Sequence, residues 1–166
     1  MNETDTQPLL RVDNLTKHYG GQRGPLALLT GKPAINILAL NGVSFDVRRG
    51  ETLGLIGESG CGKSTLGRTL LRLHEPTSGK VIFDDEDITS LKPDALKAMR
   101  RHMQIIFQDP YASLNPRRTV GDIIGLPLKL HGLASGRGDV RDRVAAIMEK
   151  VGLKTGHLDR YPHQFS

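Results

Sequence analysis

The stretch GESGCGKST at residues 57–65 is a complete match to the phosphate-binding pattern G-x-x-x-x-G-K-[ST]. Glycines at Gly57, Gly60 and Gly62 permit a tight turn that points successive backbone N–H groups into one concavity. A helix starting near Lys63 adds unpaired N–H groups and the positive end of its dipole at the same place. The stretch therefore predicts a site for the phosphates of a nucleotide.

The polar groups of this stretch have separate predicted tasks. Lys63 is expected to reach the β- and γ-phosphates, and the Ser64 hydroxyl is expected to ligate Mg²⁺. Thr65 is placed for the α-phosphate side. The predicted nucleotide-binding residues of the stretch are Gly57, Glu58, Ser59, Gly60, Cys61, Gly62, Lys63, Ser64 and Thr65.

The flanking sequence supplies the strand and the helix that such a loop requires. Residues 51–56 form a short, mostly apolar run, which is typical of a buried parallel strand. After the loop, Leu66, Thr69, Leu70 and Leu73 recur at helical spacing, and the pair Glu75-Pro76 is predicted to close the helix.

Composition narrows the function classes. No run approaches the ~18 apolar residues of a membrane span, and the polar, acidic residues 1–8 do not form a secretory signal. A single cysteine fits a reducing cytoplasm. The net charge of +5 permits contact with nucleic acid. However, the basic residues are scattered in pairs, and four Phe, three Tyr and no Trp offer no stacking platform, so we expect no nucleic-acid partner.

The periodic pattern continues on both sides of the loop. The other predicted strands are 9–15, 43–47, 80–83 and 104–107, and the other predicted helices are 90–101, 119–130 and 139–151. Residues 1–107 are therefore expected to form an α/β core with a loop insertion at 20–36. Residues 108–118 are the predicted joint, and 119–166 are predicted to form part of a helical subdomain.

This order of parts resembles the nucleotide-binding subunit of an ABC transporter. The segment IIFQDPYASLNPR at 105–117 is similar to the glutamine loop of the oligopeptide/dipeptide importer branch. The run FDDEDIT at 83–89 and the ending RYPHQFS at 160–166 resemble the same branch. The resemblance implies an α/β P-loop NTPase core, with a mixed sheet around the phosphate-loop helix, followed by the start of a helical subdomain.

The resemblance also implies roles for residues outside the loop. Tyr19 matches the aromatic residue that stacks on adenine, although a tyrosine at a strand end could equally be a surface or core residue. Gln108 matches the glutamine that reaches Mg²⁺ and the attacking water, so Ser64 and Gln108 are the implied metal contacts. Lys63 and Gln108 would contribute to catalysis. Residues 111–118 would lie near the surface that grips a membrane subunit.

The implied function is the ATP-binding subunit of a di- or oligopeptide importer, with ATP and Mg²⁺ as cofactors. The implied partners are the transporter membrane subunits, a second ATP-binding subunit in a homo- or heterodimer, and indirectly a solute-binding protein. The implied location is peripheral, at the cytoplasmic face of the cell membrane.

In this family the ending FS runs into the signature G-G-Q, and a strand ending in Asp-Glu (the Walker B strand) and a switch histidine follow. The sequence stops at Ser166, so we expect this chain to bind ATP but not to complete hydrolysis alone. Because that strand lies in the middle of the sheet, we also expect an open edge and a poorly soluble or partly folded chain.

Three alternatives remain open at this point. Asp84 or Asp85, in the acidic run 84–87, could support a metal in a self-contained P-loop kinase, although this run is also what a solvated turn requires. The chain could be a non-catalytic nucleotide-binding remnant. Cys61 could act as a redox switch, because Lys63 and the helix N-terminus favour a thiolate, or it could simply be a small residue that fits.

Overall fold

The computed structural model describes residues 7–20 and 36–165. The chain divides into two compact units, residues 1–104 and 105–166, and each is described by itself. The predicted loop insertion at 20–36 lies outside the described residues except for its two end residues. The helical prediction for 119–166 falls within the second unit.

The first unit contains a four-stranded antiparallel sheet. Its strands are β1 (Leu10–Gly20), β2 (Asn36–Val47), β3 (Ser78–Phe83) and β4 (Glu86–Asp87), in the order β2-β1-β3-β4. β1 and β2 are both longer than predicted, because they pair with each other from Leu10 opposite Val47 as far as Gly20 opposite Asn36. The sheet therefore positions the end of β1, which carries Tyr19.

The phosphate-loop helix, α1 (Lys63–Leu70), packs against this sheet. Leu66 of α1 joins a buried cluster that includes Leu15 of β1, Leu40 of β2 and Val81 of β3. Burying each such side chain contributes roughly 1.5–3 kcal/mol. The start of α1 is thus held against the sheet by the core of the unit.

α1 ends earlier than the sequence predicted. Arg72 adopts a left-handed φ of 49°, which stops the helix before Leu73. In this conformation the Arg72 guanidinium donates to the carbonyl oxygens of Ile88 at 2.9 Å and Leu91 at 2.8 Å. Leu73 is consequently exposed rather than part of a helical face.

Two predicted strands are wrong. Residues 51–56 and 104–107 have no regular secondary structure and no strand partner within the described parts of the chain. Most of their apolar side chains are exposed, with Ile56 96% and Ile106 90% accessible, and Ile105 is half-buried. A buried parallel strand needs neighbouring strands and cover on both faces, and the described residues provide neither. The short helix α2 (Pro93–Met99) also covers less than the predicted 90–101.

The second unit is built on two helices, α3 (Val120–Leu130) and α4 (Gly136–Lys150), followed by short 3₁₀ turns at Thr155–His157 and Pro162–Gln164. The Thr119 side chain caps α3 by accepting from the Asp122 amide at 3.2 Å, which confirms the predicted start. The core consists of Val140, Val144, Met148 and Leu158.

None of the helices in the described part of the chain has the length and the apolar character that crossing a bilayer demands.

Candidate functional site

The phosphate loop leads directly into α1 at Gly62, which has a left-handed φ of 101°. A side chain at this position would bring its Cβ within 2.5 Å of the Ala39 carbonyl oxygen on β2. Gly62 is therefore required both by its backbone conformation and by the close approach of the neighbouring strand. Its own carbonyl accepts from the Leu66 amide at 2.8 Å, which starts the helical hydrogen-bond pattern.

The amides around this turn form an anion-binding geometry. Within the loop, the Cys61 amide donates to the Glu58 carbonyl at 3.3 Å. Among the described contacts, no acceptor takes the amides of Gly60, Gly62 or the first turn of α1. No acidic residue lies in that first turn. Free N–H groups at a helix N-terminus, without a competing carboxylate, suit phosphate oxygens.

Lys63 lies inside the same loop. Its ammonium donates to the carbonyl oxygens of Gly57 and Glu58, both at 2.6 Å, and lies 3.5 Å from the Cys61 sulfur. The loop thus closes around its own lysine. The side chain is held beside the free amides by contacts to neutral groups, which a charged phosphate oxygen could replace.

The remaining loop side chains are open to a ligand. The side chains of Glu58, Ser59, Cys61 and Ser64 are exposed. Thr65, two residues after Lys63 in the first turn of α1, is half-buried. The exposed Ser64 hydroxyl is available to a metal ion. The Cys61 thiol is also exposed, and its role as a redox switch remains a prediction. The structure brings together every predicted binding residue from Gly57 to Thr65.

Tyr19 lies in the same unit, near the end of β1 and opposite Ile37 of β2. Its hydroxyl lies 3.2 Å from the Nδ1 atom of His74, and the residue is 36% exposed. His74 follows the C-terminal end of α1, whereas the phosphate loop precedes the N-terminal end. A helix of eight residues separates these two places by about 12 Å.

Gln108 lies in the second unit and is exposed. It directly precedes a tight turn in which the Asp109 carboxylate accepts from the Ala112 amide at 3.0 Å. A second turn follows, in which the Asn115 side chain accepts from the Arg117 amide at 3.0 Å. These turns give the segment after Gln108 a fixed local shape without regular secondary structure.

The acidic run 84–87 spans the turn between β3 and β4, at Asp84 and Asp85, and the two residues of β4 itself. Asp84 and Asp85 are exposed, both have left-handed backbones, with φ of 50° and 65°, and Asp84 pairs with Arg49. Asp87 instead accepts from the Thr89 amide at 2.9 Å. Within the described residues, no group of three or more His, Cys, Asp or Glu could hold a metal ion. No observation favours the kinase alternative.

Two features of the structure were not predicted from the sequence. One is the contact between Tyr19 and His74, because 55 positions separate the two residues. The other is an apolar groove of about 400 Å³ in the second unit. It is lined by Pro110, Tyr111, Leu114, Val120, Ile123, Ile124, Leu153, Pro162 and Phe165.

Comparison with known proteins places this site in a family. The family model described as "ABC transporter" matches residues 40–166, which includes the whole phosphate loop and Gln108. The chain belongs to the ABC transporter family. This membership confirms the resemblance and the P-loop NTPase fold class, even though two of the predicted strands are wrong.

Curated relatives of this ABC transporter chain carry the name glutathione import ATP-binding protein GsiA. The protein of Escherichia coli K12 is 51% identical over 162 residues, and that of Escherichia coli O6:H1 is 50% identical. The match covers 98% of this chain but 25% of either relative. The chain thus spans about a quarter of the length of these relatives.

Solved structures of ATP-binding cassettes have a fold similar to that of this chain. The ATP-binding cassette MJ0796, in a dimeric post-hydrolysis state bound to ADP and Pi, is 28% identical with a TM-score of 0.72. The match covers 95% of this chain and 63% of that one. A second dimeric structure of MJ0796 gives a TM-score of 0.71 at 27% identity. The chain therefore has the fold of part of an ABC cassette.

Proposed function

We propose that this chain is part of the ATP-binding subunit of an ABC importer for small peptides. The observation that supports it most directly is the phosphate loop, where free amides and Lys63 surround a turn that only glycine fits at position 62. The name of the GsiA relatives supports import of a peptide-like solute. Glutathione itself or another short peptide would fit this class.

The loop residues fit ATP with Mg²⁺. The free amides of Gly60, Gly62 and the first turn of α1 would bind phosphate oxygens, and Lys63 would exchange the Gly57 and Glu58 carbonyls for the β- and γ-phosphates. Ser64 would ligate Mg²⁺, which prefers a few protein oxygens together with substrate phosphates. The metal, when bound, neutralises charge on the phosphates.

Tyr19 and Gln108 complete the proposed nucleotide contacts. The exposed Tyr19 ring would stack on adenine, since aromatic side chains bind any base through its π-face. The neutral amide of Gln108 would approach Mg²⁺ and the attacking water without adding charge. Gln108 is exposed and is therefore accessible for this role.

The proposed partners are a second ATP-binding subunit, membrane subunits and, through them, a solute-binding protein. The dimeric state of MJ0796 supports the first of these. The apolar groove supports the membrane subunits as partners. Its volume is about 400 Å³, and its apolar lining suits a short amphipathic helix. We propose that a cytoplasmic helix of a membrane subunit occupies this groove and that the chain lies at the cytoplasmic face of the membrane.

Calorimetric titration of the 166-residue chain with Mg-ATP tests the nucleotide site. Lys63→Ala removes a charged hydrogen bond, so the affinity should fall by at least tenfold (about 1.5–3 kcal/mol). Lys80→Ala, an exposed lysine on β3, is the matched control and should bind like the wild type. Absence of binding by the wild-type chain, or equal binding by Lys63→Ala, would contradict the proposal.

A further inference from the structure

Tyr19 makes a specific contact with a residue that neither the loop motif nor the predicted sites include. Its hydroxyl lies 3.2 Å from the Nδ1 atom of His74. The two rings are 5.7 Å apart and almost perpendicular, at 87°, which is the edge-to-face arrangement that aromatic rings prefer. Two independent interactions therefore fix the ring of Tyr19 against His74.

A third interaction involves one face of the ring. The ammonium of Lys17 lies over Tyr19, 5.0 Å from the ring centroid, in a cation–π contact. The same ammonium donates to the Glu75 carbonyl at 2.7 Å, so its position is also determined by the segment that follows α1. Because Lys17 covers one face of the ring, a base would have to stack on the opposite face.

The segment that carries His74 is itself attached to β1. The Thr77 amide donates to the Thr16 carbonyl at 2.9 Å, and the His18 amide donates to the Thr77 hydroxyl at 2.9 Å. Thr16 and Ser78 share a hydroxyl hydrogen bond of 2.6 Å. These bonds keep β1 and the segment 74–78 in register, so His74 remains beside Tyr19.

We propose that His74 and Lys17 are positioning residues, which hold the Tyr19 ring in the orientation that stacks on the base of a bound nucleotide. This inference rests on the proposed function. An exposed tyrosine loses rotamer freedom when it stacks on a ligand, and a ring that is already fixed avoids part of that cost. His74 and Lys17 would therefore strengthen base binding without touching the phosphates.

The test compares Mg-ATP with inorganic tripolyphosphate, which has no base. His74→Ala should weaken Mg-ATP binding roughly three- to tenfold, the size expected for one lost aromatic pair and hydrogen bond. Tripolyphosphate binding should be unchanged. His74→Phe, which keeps the ring but not the hydrogen bond, should be intermediate. Lys17→Met should also weaken the binding of Mg-ATP but not the binding of tripolyphosphate. His102→Ala, an exposed histidine without a described side-chain contact, is the control.

A double-mutant cycle separates positioning from general damage. In a Tyr19→Ala background, His74→Ala should cause no further loss of Mg-ATP affinity, because there is no ring left to hold. Equal losses for Mg-ATP and tripolyphosphate, or a full additional loss in the Tyr19→Ala background, would overturn the inference. If the wild-type chain binds Mg-ATP and His74→Ala binds it with the same affinity, the inference is overturned, but the proposed function stands.

A measurement without nucleotide separates a failure of this inference from a failure of the proposed function. In the chain with ¹³C-labelled tyrosine rings, His74→Ala should shift the Tyr19 ring resonances, and His102→Ala should not. An unshifted Tyr19 signal would overturn the inference whatever the nucleotide affinity. If the shift is present but the wild-type chain binds no Mg-ATP, the contact is real, and the proposed function and the role derived from it are both wrong.

Discussion

The most constrained single residue in the site is Gly62. Its φ of 101° and the 2.5 Å approach of the Ala39 carbonyl to any added Cβ are two separate penalties. Gly50 shares only the first, with a φ of 75° and nothing within 4 Å of an added Cβ. The two glycines thus separate backbone conformation from steric overlap.

Replacement of each glycine by alanine should show this difference. Gly50→Ala should lower the free energy of unfolding by about 1–2 kcal/mol, the cost of a left-handed residue with a Cβ. Gly62→Ala should lower the free energy of unfolding by a further ~1–3 kcal/mol, because the added methyl group overlaps the strand. Urea unfolding followed by circular dichroism measures both. Equal losses for the two variants would mean that the loop does not pack on β2 as described.

At the scale of elements, α3 and α4 meet closely at a glycine. A Cβ at Gly125 would lie 2.8 Å from the Cγ1 atom of Val140, whereas a Cβ at Gly138 on α4 would meet nothing within 4 Å. Alanine favours a helix over glycine by about 1 kcal/mol, but overpacking costs about 1–3 kcal/mol. Gly138→Ala should therefore stabilise the second unit, and Gly125→Ala should destabilise it. Thermal unfolding midpoints that rise for both variants would contradict the packing.

The second unit should also lose stability in acid. Hydrogen bonds from the Arg141 guanidinium lower the pKa of the Asp159 carboxyl below its usual 3.8. A hydrogen bond from Arg143 and one from the Ser135 amide lower the pKa of Asp139 in the same way. A lowered folded-state pKa contributes stability above the unfolded-state value, and this is lost as the pH falls through the folded-state value.

Unfolding of the chain at pH 5 and at pH 3 checks this dependence. Asp159→Asn should be less stable than the wild type at pH 5, and the difference should shrink at pH 3. Asp142→Asn, which removes an exposed carboxylate on α4 beside Arg141, should show little difference at either pH. A constant difference for Asp159→Asn between the two pH values would rule out this ion pair as the cause.

Elements determined by neighbouring residues were predicted best. Thr119 and Asp122 lie three positions apart and fix the start of α3, and the glycines and Lys63 fix the phosphate loop. The strand predictions at 51–56 and 104–107 failed because a parallel strand depends on partners far away in sequence, which a local apolar run does not reveal. The His74 contact was missed for the same reason.

For the molecule as a whole, the exposed apolar residues before the phosphate loop have the largest consequence. Leu53, Leu55 and Ile56 are 48%, 54% and 96% exposed. Large apolar side chains exposed this close together in the chain favour association. Light scattering of the 166-residue chain should show concentration-dependent association, and the double variant Leu55→Ser/Ile56→Ser should reduce it. Leu73→Ser, which changes an exposed leucine outside this stretch, should not. A monomeric wild-type chain with a cooperative thermal transition would contradict this expectation.

The amides of the phosphate loop are expected to bind a triphosphate. Titration of the ¹⁵N-labelled chain with Mg-ATP, followed by amide NMR, tests it most directly. We expect the largest shifts at residues 57–65, saturating with nucleotide and lost in Lys63→Ala. If millimolar Mg-ATP leaves those amide signals unchanged in a folded sample, the claim is contradicted.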